Sequence, residues 1–195
     1  MSKQSSAINV FRALHESGCF VLPNPWDAGS AIYLERLGFK ALATTSAGFA
    51  FSKGLPDGPA YVSRELMLDH FRELAAATSL PLNADFQNGY ADEPEGVAES
   101  VRLCVATGVA GLSIEDSTGN NAKPLYDFDL AVERIKAARA AIDVSEPGAG
   151  RGPRAGNPRG VEDATGSSER VVLTARCEAY LVGDSTPLQT SLSRL

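Results

Sequence analysis

Apolar residues along the chain fall into two alternating textures: dense runs of four or five, and longer stretches where they recur every three or four positions. Dense runs suit strands buried on both faces, and the longer recurrence suits amphipathic helices. Ala7 to Ser17 predicts an opening helix, with Ile8, Phe11, Leu14 and His15 at helical spacing. Cys19 to Leu22 predicts a first strand, closed by Pro23 and Pro25. Asp27 can cap a helix from Ala28 to Leu37, which Gly38 stops. Ala41 to Thr45 predicts the second strand, running into Ser46-Ala47-Gly48 and a long loop. Ser63 caps the next helix, whose stripe includes Leu66, Phe71 and Leu74. The third strand is Leu82 to Phe86, and Pro94 then opens a helix carrying Val97, Val101, Cys104 and Val105 before Gly108. Gly111 to Ile114 is the fourth strand, with its helix from about Asp129 to Ile142.

From 143 to 170 the texture changes to six glycines and three prolines with almost no large apolar residue, which predicts an unpacked, disordered insertion. Val171 to Ala175 gives a fifth strand, and Leu188 to Leu195 begins a further helix. Five strand–helix units predict a parallel α/β protein. A closed barrel needs eight, and an open five-stranded sheet of flavodoxin type is the rival architecture. Strand pattern alone does not separate them.

Charge and cysteine content narrow the setting. Against 24 Asp plus Glu stand 18 Lys plus Arg, a net charge of −6 that disfavours nucleic acid or an anionic membrane as main partner. No run of about 18 apolar residues offers a membrane span, and the start Met1-Ser-Lys-Gln-Ser-Ser lacks the apolar core of a secretory signal. Cys19, Cys104 and Cys177 are scattered and odd in number, so a reduced, cytoplasmic setting is expected. Gly148-Ala-Gly-Arg-Gly152 follows Pro147 rather than a strand, so it is not read as a phosphate loop.

Ligands of parallel α/β folds sit at the carboxyl ends of strands. Those ends carry Asn24-Pro25-Trp26-Asp27, Thr45-Ser46-Ala47-Gly48, Asp85-Phe86-Gln87-Asn88-Gly89-Tyr90, Glu115-Asp116 and Arg176-Cys177-Glu178. Asp85 and Glu115 are hard oxygen donors of the kind Mg²⁺ takes, while Arg176 can grip a substrate carboxylate. Each also has a plain structural reading: an acid after a strand often caps a helix, and Arg176 can pair with Glu178 or Asp85.

Together these blocks resemble the isocitrate lyase and phosphoenolpyruvate mutase superfamily. The blocks are Asn24 to Ala31, Thr44 to Gly48, Asn83 to Tyr90, Gly111 to Asp116 and Leu173 to Glu178, in order from about residue 8 to 142 and again from 171 to 195. The resemblance implies a (β/α)₈ TIM barrel of which residues 1–195 form about the first five units, incomplete, with the insertion at 143–170. It implies a metal site for Mg²⁺ (or Mn²⁺) at Asp85 and Glu115, with Asp85 the direct ligand and Glu115 and Asp57 holding the ion's waters. Ser46, Ala47 and Gly48 would then bind a carboxylate of a 2-oxo acid, Trp26 would shape the pocket, and Arg176 would hold the other anionic group. Asp57 and Arg176 are the implied catalytic residues.

Two departures bear on the chemistry. Gln87 stands where family members commonly carry a second carboxylate. The Lys-Lys-Cys-Gly-His type loop is replaced by Ser117-Thr-Gly-Asn-Asn-Ala-Lys-Pro-Leu125, which has no Cys or His to act as acid. The expected function is therefore C–C cleavage in a small 2-oxo or 2-hydroxy carboxylic acid, by a lyase or decarboxylase. A phosphonopyruvate-type phosphomutase is the alternative, and an inactive truncated fragment is a third reading. A full barrel would be expected to form a homo-oligomer.

Overall fold

The computed structural model describes residues 2–144 and 170–194. The insertion expected at 143–170 lies outside the described residues except for its ends, where Asp143 pairs with Arg139 at 2.7 Å and Arg170 at 3.2 Å.

In chain order the elements are α1 (Lys3–Leu14), α2 (Ala28–Arg36), β1 (Leu42–Ala43), α3 (Ser46–Ser52), α4 (Arg64–Ala77) and β2 (Leu82–Asp85). Next come α5 (Pro94–Val105), β3 (Gly111–Glu115), α6 (Phe128–Val144), β4 (Val172–Arg176) and α7 (Pro187–Ser193). Local chemistry sets several helix starts. Asp27 Oδ1 accepts from Ser30 N at 2.6 Å, and Ser63 Oγ accepts from Leu66 N at 3.2 Å, so each satisfies an amide that the first helical turn leaves unpaired.

All four strands are parallel, in the order β1-β2-β3-β4. That order bears on the choice of architecture. A doubly wound sheet reverses its strand order at a switch point, whereas a barrel lays each strand beside the one before it. The sequential order is that of the TIM-barrel type, present here as an incomplete sheet.

Cys19 to Leu22, expected as the first strand, does not join the ladder. One backbone bond links this segment to β1, from Ala43 N to the Pro23 carbonyl at 3.1 Å, beside Asn24 Nδ2 donating to Ala43 O at 3.0 Å. Pro23 and Pro25 have no N–H to donate, so a continuous ladder cannot form there. A second difference is α3, where the sequence reading had only a loop. Thr45 Oγ1 caps it by accepting from Gly48 N at 3.0 Å.

The core lies around β2 and β3, with Leu82, Ala84, Leu112 and Ile114 buried against α4, α5 and α6. From α1, Phe11 closes the interior beneath β3. A Cβ on Gly111 would stand 2.5 Å from the Phe11 ring and 2.7 Å from Asn83 Oδ1, so only glycine lets them approach. Among the described residues no helix is long and apolar enough to cross a membrane.

Candidate active site

Successive side chains of a strand point to opposite faces. On β2 and just past it, Asn83, Asp85 and Gln87 therefore share one face, as do Ser113, Glu115 and Ser117 from β3, and Thr174 and Arg176 from β4. These residues line one cavity of about 650 Å³, together with Thr44, Thr45, Ser46, Ala47 and Asp57. Phe11, His15 and Leu22 also contribute to its wall.

The charges meet at one point. Arg176 Nη1 lies 2.8 Å from Asp85 Oδ1 and 3.0 Å from Glu115 Oε1, while Nη2 lies 2.7 Å from Glu178 Oε1. One guanidinium thus faces three carboxylates. Burial pushes the Glu115 carboxyl up to about 7, with Arg176 pulling it down and Asp85 and Glu178 pushing it up. Burial works against the Arg176 charge, but Glu115, Asp85 and Glu178 outweigh it and hold that group above its ordinary range. Asp57 comes from the loop after α3. Partial desolvation and the Asp85 charge raise its carboxyl, while the Gly58 amide and the Ser46 hydroxyl pull the other way.

Asp85 is also fixed from its other side. Ser46 N donates to its Oδ2 at 2.8 Å, and its own N–H donates to Thr44 Oγ1 at 2.8 Å. Two of the three amides expected to meet a carboxylate, Ser46 N and Gly48 N, thus already have acceptors. Trp26 is 48% exposed, and neither it nor Gly48 lines the cavity. The structure therefore brings together Ser46, Ala47, Asp57, Asp85, Glu115 and Arg176, and leaves Trp26 and Gly48 outside the lining.

Several residues of the site's frame escaped sequence reasoning. Arg134, on α6, is fully buried beneath the loop that leaves β2. Its Nη1 donates to the Ala91 carbonyl at 2.5 Å and the Asp92 carbonyl at 2.7 Å, its Nη2 donates to the Asn88 carbonyl, and its plane lies 3.8 Å from the Tyr126 ring centre. Tyr126 OH in turn accepts from Asn88 Nδ2 at 3.1 Å and donates to Asp92 Oδ1. The clamp holds a loop in which Gln87 and Tyr90 both take left-handed backbone conformations, at φ 47° and 57°. A sequence signal existed: Arg134 falls on the same helical stripe as Ala138, Ala141 and Ile142. Just past β3, Asp116 accepts from Glu178 N at 2.8 Å and pairs with Arg194 at 3.1 Å, tying the segment beyond β4 and the end of α7 to the site.

The donor set suits a hard divalent cation. Among the described residues no group of three or more His, Cys, Asp or Glu side chains could hold a metal unaided. Mg²⁺ does not need one, because it keeps several waters and takes only one or two carboxylates. Asp85 and Glu115 converge on a single point, and that point already holds a positive charge, Arg176 Nη1.

Comparison with known proteins adds an independent line. The phosphoenolpyruvate phosphomutase family model matches residues 11–147. An uncharacterized protein of Mycobacterium tuberculosis is 38% identical over 132 residues, covering 66% of this chain and 47% of that protein. The 2-methylisocitrate lyase of Halalkalibacterium halodurans is 31% identical over 143 residues, covering 70% of this chain and 47% of the enzyme. The chain thus spans about half the length of these curated relatives. Among solved structures, a Burkholderia cenocepacia J2315 protein described as a lyase/mutase is 45% identical with a TM-score of 0.82, covering 99% of this chain and 60% of that one. An oxaloacetate acetylhydrolase in complex with its product oxalate is 27% identical with a TM-score of 0.75, covering 98% of this chain and 59% of that one.

Proposed function

The chain belongs to the phosphoenolpyruvate phosphomutase family, within the isocitrate lyase and phosphoenolpyruvate mutase superfamily, and from that premise we propose that it serves a Mg²⁺-dependent enzyme cleaving a C–C bond in a small 2-oxo or 2-hydroxy carboxylic acid. The observation that carries this reading is the meeting of Asp85, Glu115 and Arg176 at one point in a cavity large enough for such a ligand.

In this reading Asp85 holds the ion directly, and Glu115 and Asp57 hold its waters; Mn²⁺ would suit the same donors. Bound there, the cation supplies positive charge against the oxyanion that develops as the bond breaks. Arg176 turns one face of its guanidinium from the carboxylates to an anionic group of the substrate. Ser46 and Ala47, which line the cavity, edge the carboxylate of the oxo acid, while Gly48 and Trp26 lie outside the lining and take no part in holding it. Thr44 and the Ser46 amide keep Asp85 aimed at the cavity, so that its carboxylate needs little rearrangement to accept the ion.

Phosphoryl transfer of the phosphomutase kind is the second reading, and the family description favours it. The lining argues for the carboxylic acid instead. Among the described lining residues, Arg176 is the one Lys or Arg, which is little positive charge for a phosphoryl dianion.

Titration calorimetry with Mg²⁺, then oxalate, tests the reading on the purified chain. Binding of Mg²⁺ is expected, abolished in Asp85→Ala and intact in Asn121→Ala from the loop after β3. Undiminished Mg²⁺ affinity in Asp85→Ala would overturn the ligand assignment.

A further inference from the structure

Gln87 is the one residue of the cavity wall whose whole side-chain amide is buried without a partner. The residue is 4% exposed, and both Oε1 and Nε2 lack hydrogen-bond partners among the described residues. It lines the same cavity as Asp85, Glu115 and Arg176. Its backbone is held in place from two sides. The Gln87 carbonyl accepts from Glu115 N at 2.8 Å, and the neighbouring Asn88 carbonyl is gripped by Arg134.

Two costs are therefore concentrated at one position. A residue with a Cβ at φ 47° is disfavoured, a cost that glycine would avoid and asparagine would lessen. A buried amide with neither end bonded adds the desolvation of both its polar atoms. An apolar side chain would remove the second cost, yet the chain places an amide there. Such a group is expected where a ligand supplies the missing partner.

The surroundings indicate which ligand. Asp57, Asp85 and Glu115 already bring three carboxylates to the wall, against the single guanidinium of Arg176. An incoming anion is repelled by acids, and the amide adds no fourth negative charge while offering two N–H donors. We propose that Gln87 is a specificity-determining residue, its Nε2 donating to a carboxylate oxygen of the bound ligand, so that the site accepts anions that an acid at this position would repel. The inference rests on the reading of the cavity as a cation and carboxylate site.

Calorimetry on the full chain, with Mg²⁺ alone and then with oxalate at saturating Mg²⁺, separates this proposal from that reading. Gln87→Glu keeps the shape and changes the charge; Gln87→Asn keeps the amide, tolerates the left-handed backbone and withdraws the donor by one methylene. Loss of one donor contact is worth about tenfold in affinity. Oxalate is expected to bind about tenfold weaker in Gln87→Asn with Mg²⁺ affinity unchanged. In Gln87→Glu oxalate should weaken by more than that, while Mg²⁺ binds several-fold tighter. Opposite movement of the two affinities is something a merely structural residue would not produce. If wild type binds both probes and neither variant changes oxalate affinity by more than twofold, Gln87 does not read the ligand. If wild type binds neither probe, the cation and carboxylate reading fails, and this proposal fails with it. Should Gln87→Glu lose its cooperative melt, Gln87→Asn alone decides.

Discussion

Arg134 and Arg176 are both arginines drawn partly or wholly out of water, and the chain satisfies them in opposite ways. Arg134 is 1% exposed and spends its donors on three main-chain carbonyls and the face of Tyr126. Those partners carry no net charge, and the three carbonyls belong to one loop, so the arrangement admits little exchange. The Arg176 side chain is 37% exposed and faces three carboxylates that compete for it. Carboxylates so crowded repel one another, and a cation or an anionic ligand can enter by exchanging partners. On the proposed function, one arginine is a frame and the other belongs to the site. Partner chemistry separates them, since both are the same residue type.

Substitutions that remove each guanidinium test that contrast most directly. Arg134→Met strands the buried Asn88 carbonyl and the part-buried Ala91 and Asp92 bonds, empties the face of Tyr126, and is expected to destabilise by about 3 kcal/mol, read from urea unfolding. Arg134→Lys should recover only part, because an ammonium cannot present the flat fork that reaches three acceptors. Full stability in Arg134→Met would show that the clamp is not a frame.

A third buried cation-forming group extends the comparison to pH. His70 on α4 stacks on Phe49 at 4.0 Å, and its Nε2 has no hydrogen-bond partner among the described residues. Burial, aided by the Lys53 charge and opposed by Asp27, pushes its pKa down to about 4. The unfolded chain takes up this proton near pH 6.5. Stability is therefore full above pH 6.5 and falls as the pH drops toward about 4, by up to about 3 kcal/mol. In His70→Phe that decline should vanish between pH 6.5 and 4.5. An unchanged acid limb would show that His70 charges without penalty.

Arg176→Met is expected to cost less stability than Arg134→Met, because Arg176 is itself 37% exposed and Glu115, pushed up to about 7 by burial, can take up a proton once the guanidinium is gone. Oxalate binding should nevertheless fall at least tenfold, roughly the worth of a charge-assisted contact. Mg²⁺ should raise the melting temperature of this variant more than that of wild type. A large stability loss with no such rescue would make Arg176 a frame residue like Arg134.

The smallest effect is expected from Tyr126→Phe, about 1 kcal/mol from the lost hydroxyl bonds to Asn88 and Asp92, with the ring still beneath Arg134. Combined with Arg134→Met, the two losses should fall short of their sum, since both act on one loop.

Most of the scaffold was legible in the sequence. Predicted strands at Leu82 to Phe86, Gly111 to Ile114 and Val171 to Ala175 each lie within one residue of β2, β3 and β4. Asp27 and Ser63 cap helices as their side chains dictate. The short helix α3 was not legible, because seven residues holding Gly48 carry too little periodicity to separate from a loop. Nor was the missing ladder at Cys19 to Leu22, since an apolar run announces burial and does not say whether a neighbour's amides can reach it.

What the sequence by itself determined is the local part: helix and strand period, capping, and which acids and which arginine stand at strand ends. These depend on residues within a few positions of one another, so the order of side chains is enough. Only the tertiary structure decided that Arg176 meets an aspartate 91 positions earlier, that Arg134 reaches 46 positions back to the Asn88 carbonyl, and that Gln87 is buried with its amide unpaired. Those outcomes depend on which strands become neighbours and how much water their packing leaves. No local pattern carries that information, because the energy of a buried charge or amide is set by the groups that surround it in space.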